Sequence, residues 1–208
     1  MPENDIFERG RKLPLMEEFY SLQGEGYHTG RASYFIRVGG CDIGCSWCDS
    51  KRSWDADRHP LVPADDIISR AAAYPSGIIL VTGGEPTMYE LGYLCDKAKE
   101  AGFKIFLETS GTYQLTGSWD WICLSPKKHN PPVEHYYTKA NELKVIVSEP
   151  GDFPWAEEVS KKVNEGCHLF LQPEWSRKAV MTDEIIDYVR GHPQWRISMQ
   201  AHKVWRIP

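Results

Sequence analysis

Apolar, β-branched and aromatic residues gather in short runs at 34–38, 78–81, 104–107, 121–124, 143–147, 168–171 and 195–199. Several of these runs lack polar alternation, which predicts strands covered on both faces. Between them, 64–74, 89–101, 155–164 and 182–190 carry apolar residues at helical spacing. Pro63-Ala64-Asp65-Asp66 offers a helix start, and Gly102 and Gly191 offer helix ends. Strand and helix alternate, so the pattern predicts an α/β fold built on a parallel sheet.

The polar gaps at 49–63, 82–87, 125–138, 148–154 and 172–178 each follow an expected strand or its loop. In a parallel sheet or barrel such gaps are the loops at the carboxyl ends of the strands, where ligand sites are built. The stretch 49–63, with Lys51, Arg52, Trp54, Arg58 and His59, reads either as a cover over that site or as a solvated connector.

A length of 208 residues suits one domain spanning 1–208. Hydrophobic residues make up 41% and charged residues 25%, and eight tryptophans and ten tyrosines supply large apolar surfaces. The formal net charge of -5 gives no overall basic field, which argues against nucleic acid as the partner. No signal peptide is expected, and no apolar run approaches the roughly 20 residues that span a bilayer. Of six cysteines, three crowd into 41–48, while Cys95, Cys123 and Cys167 stand apart in apolar or helical runs. That distribution predicts a ligand cluster plus buried thiols in a reducing cytoplasm.

Cys41, Cys45 and Cys48 follow the strand at 34–38, and Gly39, Gly40 and Gly44 let the backbone wrap a metal there. Three thiolates hold three irons of a four-iron cluster and leave the fourth open to a reactant. A zinc ion with a fourth ligand from elsewhere is the structural alternative. A second motif, Thr82-Gly83-Gly84-Glu85-Pro86, follows the next strand and is expected to expose main-chain groups to a polar ligand.

Together the CxxxCxWC run, with Trp47 at its aromatic position, and the Gly-Gly-Glu-Pro turn resemble the radical S-adenosylmethionine superfamily. The closer resemblance is to the 7-carboxy-7-deazaguanine synthase family. It is carried by Phe-Tyr-Ser-Leu-Gln-Gly-Glu-Gly at 19–26, Arg-Val-Gly-Gly-Cys at 37–41, Cys-Asp-Ser at 48–50 and Glu-Thr-Ser-Gly at 108–111. Leu-Ser-Pro-Lys at 124–127, Leu-Gln-Pro at 171–173 and Ser-Met-Gln-Ala-His-Lys at 198–203 extend it. The likeness runs from about Glu17 to the last residue, with about 1–15 left as an N-terminal extension. It implies an α/β fold that is a trimmed, open (β/α) partial barrel of about six parallel strands with few, short helices.

The resemblance also implies a reaction: ring contraction of 6-carboxy-5,6,7,8-tetrahydropterin to 7-carboxy-7-deazaguanine, with loss of ammonia, on the way to 7-deazapurines such as queuosine. Its implied cofactors are a [4Fe-4S] cluster, S-adenosyl-L-methionine and Mg2+. The protein is expected to position the reactants and exclude water while the cofactor carries the difficult step. A homodimer is implied, with a flavodoxin or ferredoxin as electron donor.

Site residues carry over position by position. The cluster falls to Cys41, Cys45 and Cys48. Ser50, where family members usually carry threonine, would ligate magnesium through its hydroxyl. Trp47, Cys48, Asp49, Gly84, Glu85, Ser125, Pro126, Lys127, Gln172, Pro173, Glu174 and Trp175 would surround S-adenosylmethionine. Leu22, Gln23 and Gly24 would offer main-chain groups to the pterin edge, or else merely turn the chain after the first strand. Arg37 would meet the substrate carboxylate, the alternative being a buried salt bridge to Glu25 or Glu108. Glu25, Thr82, Glu108, His202 and Pro208 complete the expected substrate surroundings. The rival functions are a glycyl-radical activase of the same superfamily and a non-catalytic metal-binding module.

Overall fold

The computed structural model describes residues 8–208. Residues 1–7, the first part of the expected N-terminal extension, lie outside the described residues. The strands are β1 (Lys12–Leu22), β2 (Ala32–Val38), β3 (Leu61–Pro63), β4 (Ile78–Gly83), β5 (Lys104–Thr109), β6 (Trp121–Leu124), β7 (Glu142–Val147), β8 (His168–Pro173) and β9 (Trp195–Ile197). The helices are α1 (Ala64–Ala71), α2 (Gly92–Glu100), α3 (His135–Lys139), α4 (Asp152–Ser160), α5 (Lys178–Gly191) and α6 (Ala201–Trp205). One nine-stranded sheet runs in the order β3-β1-β2-β4-β5-β6-β7-β8-β9, and its edges β3 and β9 do not pair, so the barrel is open.

From β2 to β9 every neighbouring pair is parallel. That makes seven parallel strands rather than about six, and β1 adds an antiparallel edge paired with both β2 and β3. The period of two along each strand then sorts side chains onto two faces. Ile36, Val38, Ile105, Leu107, Leu143, Val145, Val147 and Leu171 face the helices, in two cores completed by Ile67 and Leu94 on one side and Phe153, Met181 and Trp195 on the other. On the opposite face Phe35, Ile78, Leu80 and Phe106 form a small apolar floor. Two residues further along their strands the same face carries Arg37 and Glu108, and it also carries Lys144 on β7 and, two residues beyond the Lys144 partner Phe170, Gln172 on β8. Polar chemistry thus sits at the carboxyl ends, above an apolar base.

The seven expected parallel strands are all present, but β1 and β3 were not among them. Pro14 and the adjacent acids Glu17 and Glu18 break the apolar pattern of β1, and a bulge between Leu15 and Glu17 shifts its register. Residues 12–15, left in the extension because the family likeness starts at about Glu17, begin this strand, with Leu13 fully buried. Helix bounds also differ. The 89–101 pattern becomes a helix at Gly92, because Pro86–Met88 forms a separate 3-10 turn. The 155–164 pattern starts earlier, at Asp152, whose carboxylate accepts the Ser148 and Glu149 amides at 2.7 and 3.1 Å. Gly102 ends α2 as expected, with φ +85° and the Phe103 amide reaching back to Ala98 O at 2.9 Å. Gly191, by contrast, is the last residue of α5.

Leu107 lies fully buried on β5, in the middle of the sheet. Leu107→Ala is expected to destabilise the protein by about 2–5 kcal/mol, read as a shift of the urea midpoint with the slope unchanged.

Candidate active site

A cavity of about 540 Å³ opens on the inner face of the sheet, where the carboxyl ends of β2, β4, β5, β7 and β8 meet the cysteine loop and the segment after β9. Its volume lies in the range of about 300–1,000 Å³ usual for ligand pockets. Every expected site residue lines it except Pro126, which is buried behind the Ser125 and Lys127 wall.

The cysteine loop leaves β2 and is held by two neighbours. Gly40 N donates to Ser53 O at 2.6 Å and Cys41 N to Trp54 O at 3.1 Å. Leu15 N donates to Pro60 O at 2.9 Å, so the 49–63 stretch is a brace bonded to the cysteine loop and to β1 rather than a free cover. On the other side Gly84 N donates to Val38 O at 2.9 Å and Glu85 N to Gly40 O at 2.8 Å. A side chain at Gly84 would stand 2.2 Å from Gly40 O and 2.9 Å from the Cys41 Cβ. The glycine is therefore needed for contact with the cysteine loop, and the amides expected to greet a ligand are already engaged. The Glu85 carboxylate is likewise committed: it accepts Thr87 N at 3.1 Å, Thr87 Oγ1 at 2.7 Å, Ser110 N at 2.8 Å and the hydroxyls of Thr109 and Ser110. It is a buried knot joining β4 to β5, and its main chain is engaged as well, the carbonyl accepting Met88 N at 3.2 Å.

Cys41, Cys45 and Cys48 are free thiols on the cavity wall. Burial pushes the Cys41 and Cys45 thiols above their ordinary pKa, so binding a metal there must expel their protons. Among the described residues no three His, Cys, Asp or Glu side chains converge on one point as a mononuclear ion requires, the three cysteines included. Three soft donors spread over one loop fit a cluster, in which each thiolate takes its own iron.

Across the cavity lies a buried ionic network. Lys144, 4% exposed, donates to Glu25 Oε2 at 2.5 Å and stands 3.6 Å from Glu108 Oε1. Gln23 Nε2 donates to Glu108 Oε1 at 2.8 Å, and Thr82 Oγ1 approaches Glu108 Oε2 at 3.4 Å. Burial works against ionising Glu25, yet the Lys144 ammonium outweighs it and holds the carboxyl well below its ordinary range. Burial likewise opposes the Lys144 charge, and the Glu108 and Glu25 carboxylates raise its pKa well above normal. Lys144 was missed in the sequence because a lysine within an apolar strand run gives no sign of which side it faces. The main chain of Gln23 and Gly24 is mostly engaged: Gln23 N donates to Arg31 O at 2.8 Å, Gly30 N to Gln23 O at 2.7 Å, and Ala201 N to Gly24 O at 2.9 Å. Their expected approach to a flat edge thus shifts toward the Gln23 side chain. Leu22 stands at the exposed rim.

The network continues to the chain end. Gln200 Nε2 donates to Glu25 Oε1 at 3.0 Å and Asp49 Oδ2 at 3.2 Å, and Lys203 Nζ donates to Asp49 Oδ2 at 2.6 Å. Gln200 and Lys203 belonged to a motif quoted above without a role. His202 packs on Gly24, and burial lowers its pKa. Ser21 Oγ donates to Pro208 O at 3.2 Å. Gln172 Oε1 accepts the Ser198 hydroxyl at 2.6 Å, and Glu174 accepts Ser176 N at 3.0 Å, turning the chain so that Trp175 lies 3.5 Å from Lys178 Nζ and 4.7 Å from Lys203 Nζ. Lys127 Nζ donates to the Ser125 hydroxyl at 3.0 Å and lies 5.6 Å from the Trp47 ring. Pro173 completes this wall. Ser50 makes no side-chain cap bond, leaving its hydroxyl to the cavity. Arg37 pairs with neither of its expected acids, since Lys144 holds both; its Nε donates to Glu17 Oε1 at 2.7 Å across β1 and β2.

A Radical SAM superfamily model matches residues 35–122, from β2 into β6. The chain is 53% identical to the 7-carboxy-7-deazaguanine synthase of Flavobacterium psychrophilum over 201 residues, 97% of this chain and 95% of the relative. It is 46% identical to the 7-carboxy-7-deazaguanine synthase of Synechocystis sp. over 91% of each chain. Among solved structures it is similar to the crystal structure of QueE from Escherichia coli, with a TM-score of 0.84 and 30% identity over 96% of this chain and 99% of that chain.

The ionic network sets an acid response. Because Glu25 is held below its ordinary value of 4.5, its contribution to stability is fully present above that pH and lost as pH falls toward the lowered pKa. Lys144→Met strands two carboxylates and is expected to cost about 3–5 kcal/mol at pH 7. The gap to the parent in urea titrations should shrink as pH falls from 4.5 toward about 2, the window in which the parent loses what the Glu25 carboxylate contributes. Glu25→Gln added to Lys144→Met should recover part of the loss at pH 7.

Proposed function

Since this chain belongs to the 7-carboxy-7-deazaguanine synthase family of the radical SAM superfamily, and is on that ground an enzyme of the lyase type, we propose that it contracts the ring of 6-carboxy-5,6,7,8-tetrahydropterin to 7-carboxy-7-deazaguanine with loss of ammonia. The observation that carries this reading is a single cavity with three cysteines on one wall and the Gln23, Glu25, Glu108 and Lys144 network on another. Cys41, Cys45 and Cys48 would hold a [4Fe-4S] cluster which, with S-adenosylmethionine and one electron, supplies a carbon radical. A cofactor and a substrate that meet in one water-poor cavity can exchange a hydrogen atom without loss to solvent.

The chain's own residues orient the reactants. Glu108, with Gln23 beside it, presents acceptors suited to the paired N–H groups of an aminopyrimidinone, while the Lys144 ammonium offers a donor to the adjacent carbonyl. Arg37, one guanidinium edge anchored by Glu17, presents the rest to a carboxylate. Lys127 and Trp175 flank the part of the cavity assigned to the nucleotide, with the Gly84 main chain beside the cysteines. Ser50 would give magnesium one hydroxyl oxygen, the remaining positions falling to substrate and water. Serine supplies that oxygen without the methyl group that would restrict its rotamer. One domain over 1–208, a homodimer, a flavodoxin or ferredoxin as electron donor, a cytoplasmic location and a place in queuosine biosynthesis belong to the same reading. Among the described residues no helix is long and apolar enough to cross a membrane.

Anaerobic reconstitution should yield about four irons and four sulfides per chain. Supplied with S-adenosylmethionine, a reductant and the carboxytetrahydropterin, the protein should form the deazaguanine acid, detected by mass. Zinc without sulfide would overturn the enzyme reading; cofactor cleavage without that product would overturn the substrate. Ser50→Ala should raise the magnesium concentration needed for half-maximal rate by roughly tenfold, and indifference would remove Ser50 from the metal site. Gly84→Ala, which drives a methyl into Gly40 O, should lower iron loading while leaving the far-ultraviolet circular dichroism close to that of the parent.

A further inference from the structure

Glu17 was not anticipated at the site, yet it lines the cavity and faces Arg37 directly across the β1–β2 ladder. The bulge between Leu15 and Glu17 sets the register there, and bulges beside a site commonly re-aim a side chain. The Arg37 and Glu17 side chains are 25% and 47% exposed, so their ion pair adds little to folding and needs another reason to be here. Only the Nε of Arg37 is bonded among the described residues, which leaves the Nη edge of the guanidinium toward the cavity.

The pair is electrically neutral. An approaching anion therefore gains little from charge at a distance and gains chiefly from how well a planar carboxylate fits the guanidinium fork. Without the Glu17 charge, Arg37 becomes a net cation, and its attraction rises in proportion to the charge of the ligand. Arg52, which also lines the cavity, would add to that pull. We infer that Glu17 is a specificity-determining residue, a charge filter that lets the Arg37 end of the cavity accept a carboxylate and turns away more highly charged pterins such as phosphate esters. This rests on the reading that Arg37 receives the carboxylate of a pterin.

The filter has a signature that a structural role does not share, because its effect must scale with ligand charge. Calorimetric titration of the reconstituted holoenzyme with pterin, 6-carboxypterin and 6-hydroxymethylpterin phosphate tests it. The parent should prefer 6-carboxypterin. Glu17→Gln, which keeps an oxygen for the Arg37 Nε, should bind pterin within about twofold of the parent, 6-carboxypterin about threefold more tightly, and the doubly charged phosphate about ninefold more tightly, the square of the single-charge factor. Glu17→Asp should keep the parental order. Equal changes for all three ligands, or no change in their ratios, would overturn the filter. A parent that does not favour 6-carboxypterin over pterin would sink the carboxylate reading and this inference with it, whereas a selective parent with an unaltered Glu17→Gln ratio sinks the filter alone.

Discussion

A buried ammonium decides how this site is built. Lys144 projects from the middle of β7 into the inner face of the sheet and is 4% exposed, a placement that costs several kcal/mol unless the charge is met. It is met by Glu25, just beyond β1, and by Glu108 on β5, so three separate parts of the sheet are tied to one atom. Well-packed apolar side chains would hold those strands together at least as well. On the proposed reading the charges serve as recognition groups, set in place before a ligand arrives. Gln200 and Lys203 then link the same network to Asp49, next to the last cysteine, so the polar end of the cavity and the cysteine loop share one set of hydrogen bonds.

The second constraint is backbone against backbone. The cysteine loop has almost no regular structure, and its shape comes from being pressed between the turn after β4 and the 3-10 turns that follow it. Gly84 touches Gly40 without room for a methyl group, and the Glu85 carboxylate locks the far side of that turn to Thr109 and Ser110. Two motifs that lie some forty residues apart in sequence are in this way a single mechanical unit. Exposure of main-chain groups, the reason first assigned to the glycines, is secondary to this contact.

How much of this could be read from the chain depended on whether the controlling interaction was local. Runs such as 78–81 and 104–107 are apolar on both faces, so their strand character needed no knowledge of partners. The cysteines suggested metal chemistry because few groups suit three thiols at that spacing, whereas the Gly-Gly-Glu-Pro turn, weak alone, gained weight only from its place after a strand beside them. β1 was not legible, since Pro14 and the two acids conceal an edge strand whose pairing is settled by β2 and β3. Lys144 and Glu17 escaped for a related reason: a charged residue within a strand shows neither which face it takes nor which partner meets it until the register is known. The same ignorance made Glu25 or Glu108 the alternative partner for Arg37, acids that Lys144 engages instead.

Register also explains the charge economy of the cavity. Of its five Lys and Arg side chains, Arg37, Lys144 and Lys203 each face an acid of their own, while Lys127 and Arg52 have no described acid partner. A cavity that neutralises most of its cations cannot act as a general trap for anions, because the long-range pull that would concentrate any polyanion is cancelled locally. What survives is short-range and directional: a guanidinium edge, an ammonium between two carboxylates and a lysine near an aromatic ring. Discrimination then depends on where donors and acceptors point, which suits a flat heterocycle with one acidic substituent better than a flexible, highly charged ligand. The antiparallel β1, which the parallel pattern alone would have omitted, is the element that supplies Glu17 to this balance.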